Sequence, residues 1–258
     1  MKIVAIHQPQ YLPYLGFFHK LFHCDVFVVL DSVQFQKNGL QNRNKIKTSQ
    51  GWQWLTVPVL HRFGQRIGEV QVEPDTRWQR KHWNALVSNY SRAPYFDRYS
   101  PKLRELLEGQ WKSLCELDGA LMRWAMEALG IETPILYSST LGVAGNRTEL
   151  LVNICKAVEA DGYLSGPGGS RYMDLSAFEA ARLTVVWQQF TSPVYTQVFP
   201  HVEFIPNLSI VDTVFCWGPE TTTFLQSTDE GPGVATEAYP ASGLCDMQIE
   251  ATGLEEDL

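Results

Sequence analysis

Three apolar blocks open the chain. Ile3 to Ile6 is a short run ending at His7. Leu15 to Phe22 is a longer stretch that follows a loop holding Pro9 and Pro13, and Val26 to Leu30 is a second short run ending at Asp31. Short apolar runs bounded by turn residues predict buried strands, and the longer stretch predicts a helix between them. Strand, loop, helix, strand is the opening of an α/β sheet. It puts His7 and Asp31 at the carboxyl ends of two strands, and in open α/β sheets ligands bind at that edge.

The pattern then changes period. Gln36 to Thr48 is polar and reads as a loop, with Lys37, Arg43, Lys45 and Lys47 but no acid, and Asn38-Gly39 marks a turn. Trp52 to Val59 alternates and reads as a strand, with Gly64 to Val72 as its hairpin partner. Thr76 to Tyr90 has helical spacing, with Thr76 as its cap. Arg92 to Tyr99 reads as a loop, Pro101 as the opening of a second helix, and Lys112 to Leu129 as a third, ended by Gly130. The α/β pattern resumes with a strand at Pro134 to Tyr137, a helix at Thr148 to Ala160 and a short strand at Tyr163-Leu164. A helix at Leu175 to Ala181, a strand at Leu183 to Gln189 and a helix near Ser209 to Phe215 complete it. The expected fold is α/β, a mainly parallel Rossmann-like sheet with a small β insertion and a helical insertion at about 33–130.

Charge divides the chain. The formal net charge is −7, but the segment from Gln226 onward carries 8 acids and no Lys or Arg. Without it, 20 acids face all 21 basic residues, so residues 1–225 form a nearly neutral domain and 226–258 an acidic tail expected to be disordered. A neutral body excludes general nucleic-acid binding. The 5 cysteines are widely spaced, with no zinc spacing, so no metal is expected. No run of about 20 apolar residues suggests a membrane span, and no signal peptide is apparent. The expected location is the cytoplasm.

The chemistry-bearing residues gather after the predicted strands. His7-Gln8-Pro9-Gln10-Tyr11 holds a histidine in a loop stiffened by proline, and histidine suits proton transfer near neutral pH. His19 and Lys20 follow in the helix, giving His7, His19 and Lys20 as catalytic candidates with Gln8, Tyr11 and Asp31 beside them. Asn42, Arg43, Lys45 and Lys47 form a basic, amide-rich cluster suited to phosphate or carboxylate. Ser138, Ser139 and Arg147 surround a strand end and helix start that suit an anion. Ser165, Gly168, Gly169, Ser170 and Tyr172 belong to a glycine-rich loop able to approach a ligand closely. Gln188 closes the last strand. No Walker A, GxGxxG or GxSxG pattern is present.

HQPQYLPYLGFFHKL, DVFVVLDSVQFQK, NRNKIK followed by WLTVPV, NYSRAPYF, YSST, YLSGPGGSRY and SIVDTVFCWG together resemble the WbqC-like protein family, in the same order and over about residues 2–218. The resemblance implies a role in bacterial surface-polysaccharide (O-antigen) or natural-product biosynthesis. Strand, histidine, glycine, histidine, helix is also similar to the nucleotidylyltransferase-like fold. The (H/T)xGH signature of that fold is interrupted here by Phe17-Phe18 between Gly16 and His19. The reading that follows is a transferase moving an acyl or aminoacyl group to an amine, with His7 as general base. A nucleotidyltransferase-like enzyme and a non-catalytic protein that binds a carrier or glycan intermediate are the alternatives. The expected partners are a small-molecule, sugar or carrier-bound substrate and a carrier protein. No cofactor is firmly indicated; a phosphopantetheine thioester carrier and a nucleotide are the candidates.

Overall fold

The computed structural model describes residues 1–171, 173–227 and 233–234. In chain order the opening unit is β1 (Ile3–His7), α1 (Leu15–Phe22) and β2 (Val26–Val29). The insertion holds β3 (Arg43–Thr48), β4 (Gly51–Thr56), β5 (Val59–Leu60), β6 (Gln71–Val72), α2 (Arg77–Tyr90), α3 (Phe96–Leu107) and α4 (Leu114–Leu129). The chain returns with β7 (Ile135–Tyr137), α5 (Arg147–Ala157), β8 (Gly162–Ser165), α6 (Leu175–Ala180) and β9 (Thr184–Trp187). It continues as α7 (Ile210–Cys216), α8 (Glu220–Ser227) and β10 (Gly233–Val234).

The central sheet has the order β10-β9-β8-β1-β2-β7. The pairs from β9 to β7 are parallel and β10 is antiparallel to β9. The fold class expected from the sequence is the one observed, a Rossmann-like α/β sheet. A strand buried on both faces needs apolar residues at every position, and β1 supplies them. Ile3 and Ala5 join one core with Phe17, Phe18 and Leu21 of α1, while Val4 and Ile6 join the other with Leu151 and Ile154 of α5.

The insertion departs from the sequence reading in three ways. The polar segment taken for a loop contains β3, which pairs with β4 from Arg43↔Thr56 to Thr48↔Gly51. Ile46 and Asn44 turn inward, and the Asn44 amide donates to the Leu12 carbonyl at 2.7 Å. A strand this polar is therefore set by tertiary partners more than by propensity. The segment expected to pair with β4 instead gives β6, which pairs with β5. Finally, α3 starts at Phe96 and Pro101 lies inside it. Burial of Phe96 against Phe215, with ring centroids 5.1 Å apart, adds the turn before the proline. The end signals of α4 are as read: Gly130 stops it at φ 65. Its cap is Ser113, which accepts from the Glu116 amide at 3.3 Å.

The expectation of disorder after Gln226 falls mainly on 228–232 and 235–258, outside the described residues; Gly233–Val234 pairs with Trp187 and Val186 at the sheet edge. The described cysteines, Cys24, Cys115, Cys155 and Cys216, are free and buried. Among the described residues no helix is long and apolar enough to cross a membrane, and no cluster of His, Cys, Asp or Glu could hold a metal ion.

One polar network ties the insertion to the C-terminal segment. Lys47 is 1% exposed, and its ammonium donates to Gln197 Oε1 (2.9 Å), the Val202 carbonyl (3.1 Å) and the Glu203 carbonyl (3.0 Å). Its backbone amide donates to the Tyr90 hydroxyl, and Tyr90 and Tyr195 both donate to Asp212. Lys47 is thus a structural cation with its three donors used, and not the phosphate ligand expected of it. Leaving buried acceptors unpaired costs about 1–3 kcal/mol each. Lys47→Met is expected to lose about 2–4 kcal/mol of stability, measured by urea unfolding; a loss below about 0.5 kcal/mol would refute this role.

Candidate functional site

The sheet grows outward from β1 in two directions. The chain runs β1, β2, β7 to one side, then crosses back through α5 to lay β8 and β9 on the other. Crossovers leaving opposite faces open a crevice at the carboxyl ends of the strands where the order reverses. Here that crevice lies past His7 of β1 and Ser165 of β8.

His7 is half-buried at the crevice. Its Nδ1 faces the Gln8 carbonyl at 2.9 Å, so Nδ1 carries the hydrogen and Nε2 is left as a proton acceptor. The ring meets Phe17 edge-on at 5.0 Å. Burial, with the nearby Lys20 charge second, pulls the imidazole down to about 3, so His7 is neutral at physiological pH.

Lys20 comes from α1. Named as a catalytic candidate from the sequence, Lys20 is 5% exposed. A side chain built onto Gly166 would come within 3.3 Å of its Nζ, so the ammonium sits at the start of the glycine loop. No hydrogen bond satisfies it among the described residues, and burial lowers it to about 8. His19 and Gln188 complete this wall. Gln188 Nε2 donates to the Gly16 carbonyl (2.7 Å) and toward His19 Nδ1 (3.2 Å), which leaves the hydrogen on His19 Nε2. That Nε2 is buried without a partner. Burial, then the His23 ring 4.4 Å away, brings His19 down to about 4.

The glycine loop is a tight turn. The Gly169 amide donates to the Gly166 carbonyl (3.0 Å), so it is spent on the turn and unavailable as an oxyanion donor. Any side chain at Gly169 would collide with Ser165 Oγ, which explains the glycine, whereas Gly168 faces open space. Ser165 is buried and donates to the Gly166 carbonyl (3.1 Å). Exposed Ser170 donates to the Pro167 carbonyl (3.0 Å). Tyr172 lies outside the described residues.

Other predicted residues serve the frame. Asp31 accepts from Ser138 Oγ (2.9 Å), the Ser139 amide (2.9 Å) and Ser139 Oγ (2.6 Å), so these three lock the end of β7 onto the end of β2. Exposed Arg147 starts α5 at φ 50. Gln8 Oε1 accepts from Gln41 (2.7 Å). Buried Tyr11 donates to His82 Nδ1 (2.8 Å), whose Nε2 donates to the Thr56 carbonyl (3.1 Å), binding the N-terminal loop to α2. Asn42 donates to the Val57 carbonyl (2.9 Å). Arg43 lies over Trp54 at 4.2 Å, and Lys45 over Trp52 at 4.3 Å, on the outer face of the β3–β4 hairpin. The basic cluster therefore splits: Lys47 goes into the core while Arg43 and Lys45 stack on tryptophans.

Sequence reading passed over Asp118. It lies on the buried face of α4, four residues after Leu114 and three before Leu121, and is 2% exposed with both carboxylate oxygens unpartnered. An acid in register with leucines on a helix was the available signal. Burial raises its carboxyl well above the usual range, which favours the protonated form.

With this geometry in place, the comparisons can be read against it. A model of the WbqC-like protein family matches residues 8–224, a span that begins one residue after His7 and takes in Lys20, Asp118, the glycine loop and Gln188. The chain is 37% identical over 230 residues to the uncharacterized protein Rv1507c of Mycobacterium tuberculosis, covering 88% of this chain and 98% of that protein. No solved structure matches. A match that runs from the N-terminal loop to α8 covers most of the chain, and the chain belongs to the WbqC-like protein family.

Proposed function

We propose that the crevice is the active site of a transferase that moves an acyl or aminoacyl group from a carrier thioester to an amine, in the assembly of a surface glycan or natural product. The observation that carries this reading is the Lys20 ammonium, on a buried side chain beside Gly166, with its charge felt at His7. An uncompensated buried cation is costly, and an anionic ligand or a developing oxyanion supplies the missing partner.

The residues divide the step between them. The amine nitrogen attacks the thioester carbonyl, a C–N bond forms, and negative charge gathers on oxygen near Lys20. His7 Nε2 takes the proton leaving nitrogen. The C–S bond then breaks, and the departing sulfur receives that proton from His7, giving an amide and a free thiol. His7 is a poor base while the crevice is empty, because burial and the Lys20 charge both oppose its cation. Negative charge beside Lys20 offsets the second of these, so proton transfer is favoured as the oxyanion forms. Lys20 takes the anion-holding role that the sequence reading had given to Arg43, Lys45 and Lys47.

Incubation of the full chain with N-acetylcysteamine thioesters and a panel of amines is expected to yield amide, detected by mass spectrometry. His7→Ala is expected to lower turnover about 10²–10⁴-fold; full turnover in that variant would sink the assignment of the base.

The pH profile has a distinctive expected shape. His7 titrates at about 3 and Lys20 at about 8, so kcat/KM should lack a limb at 6–7 and fall as pH rises through about 8. Lys20→Arg should remove the alkaline limb, since arginine stays charged. A profile still breaking near 8 in that variant would place the titration elsewhere.

Lys20→Met separates site from scaffold. A lysine whose folded pKa is lowered opposes folding while it stays charged, fully so below about 8 and less as pH rises toward its unfolded value. At pH 7 the variant is expected to gain roughly 1–3 kcal/mol of stability while losing turnover. Loss of both in urea unfolding and product assays would make Lys20 a structural residue.

A further inference from the structure

A small, largely apolar cavity lies beside the crevice and is not used by the transfer step. It is a cavity of about 10 Å³ between the Pro9–Gln10 loop and α4, room for one group the size of a water molecule. Asp118 and Gln10 line it together with Phe17, Val29, Met122 and Tyr137. Phe17 also forms the edge contact with His7, so one ring separates the two sites.

Three polar atoms on its lining residues have no partner. Asp118 Oδ1, Asp118 Oδ2 and Gln10 Oε1 are all buried and all lack a hydrogen-bond partner. Unpaired buried acceptors are rare because each costs free energy. Burial favours the protonated form of the Asp118 carboxyl, and loss of that proton to a bound amine leaves three acceptors facing one new cation. A hydroxyl supplies one donor and no charge, whereas a primary ammonium supplies three donors from one atom. The aromatic rings of Phe17 and Tyr137 in the lining favour a cation further.

We propose that this cavity is an ammonium subsite that anchors an amine-bearing substrate through Asp118 and Gln10. The anchored ammonium is not the attacking nitrogen, so the substrate class named for the transfer reading above is a molecule with a second amine, and only that link to catalysis rests on that reading. Proton balance is simple. A neutral amine takes the Asp118 proton and becomes the ammonium; an ammonium ion displaces that proton to solvent. Either way the cavity ends with an ammonium–carboxylate pair, with Gln10 accepting from the third N–H.

Thermal unfolding of the full chain in ammonium chloride and methylammonium chloride, against tetramethylammonium chloride at equal ionic strength, tests this. Ammonium and methylammonium are expected to raise Tm saturably by about 2–4 °C, and tetramethylammonium, which has no N–H donor, is not. Asp118→Asn and Asp118→Leu should abolish the rise, and Gln10→Leu should reduce it. Lys20→Met and His7→Ala should leave it intact, so failure of the transfer reading and failure of the ammonium subsite give different results. No saturable rise in the wild type, an equal rise with tetramethylammonium, or a rise that survives in Asp118→Asn would overturn the proposal.

Discussion

Parallel pairing of β1 on both sides is the constraint on which the structure depends. Its partners come from opposite ends of the chain: β2 follows after one helix, while β8 arrives only after the whole insertion and α5. The strand order reverses there, and the helices leave on opposite faces. Every carboxyl-end loop on either side of β1 is thereby aimed at one crevice. His7 sits at that end because the apolar run of β1 stops there, and the prolines after it limit where the loop can go. The polar frame around the crevice then follows from packing. Asp31 ties β2 to β7, Gln188 ties the end of β9 to α1, and Tyr11 with His82 ties the loop to the insertion.

Two kinds of buried charge serve opposite ends. Lys47 and Asp212 are surrounded by partners, and their hydrogen bonds join β3, α2 and the C-terminal segment into one body. His19, Asp118 and Gln10 carry buried polar atoms with no hydrogen-bond partner, and the Lys20 side chain is buried near them. Folding alone does not favour leaving such groups unpaired. Gln10 and Asp118 share a cavity with Phe17, whose ring also meets His7, so these groups lie close to the carboxyl end of β1.

Much of the frame was legible in the chain. The opening strand–helix–strand unit, the return to an α/β pattern after the insertion and the end of α4 at Gly130 all follow from apolar period and capping residues. Those signals are local, and strong where an element is buried on one face or both. The failures also have local causes. Polar β3 carries no apolar strand period, since Asn44, Ile46 and the cation Lys47 are its buried residues. Pro101 read as a helix start because proline favours the first turn, yet packing of Phe96 moved the start upstream.

By itself the sequence determined which residues of this family member stand at strand ends, because hydrophobic runs end where burial ends. His7, Asp31, Ser165 and Gln188 were all placed there by that rule. Tertiary structure alone decided which of them face a ligand. Lys47 and Lys20 are the same residue type in polar surroundings of sequence, yet one is saturated with acceptors and the other has none. Asp118 looked like one more helix acid until α4 packed against the N-terminal loop and shut it away from water. Partners separated by a hundred residues or more set those outcomes, and pairing at that range is invisible to any local pattern.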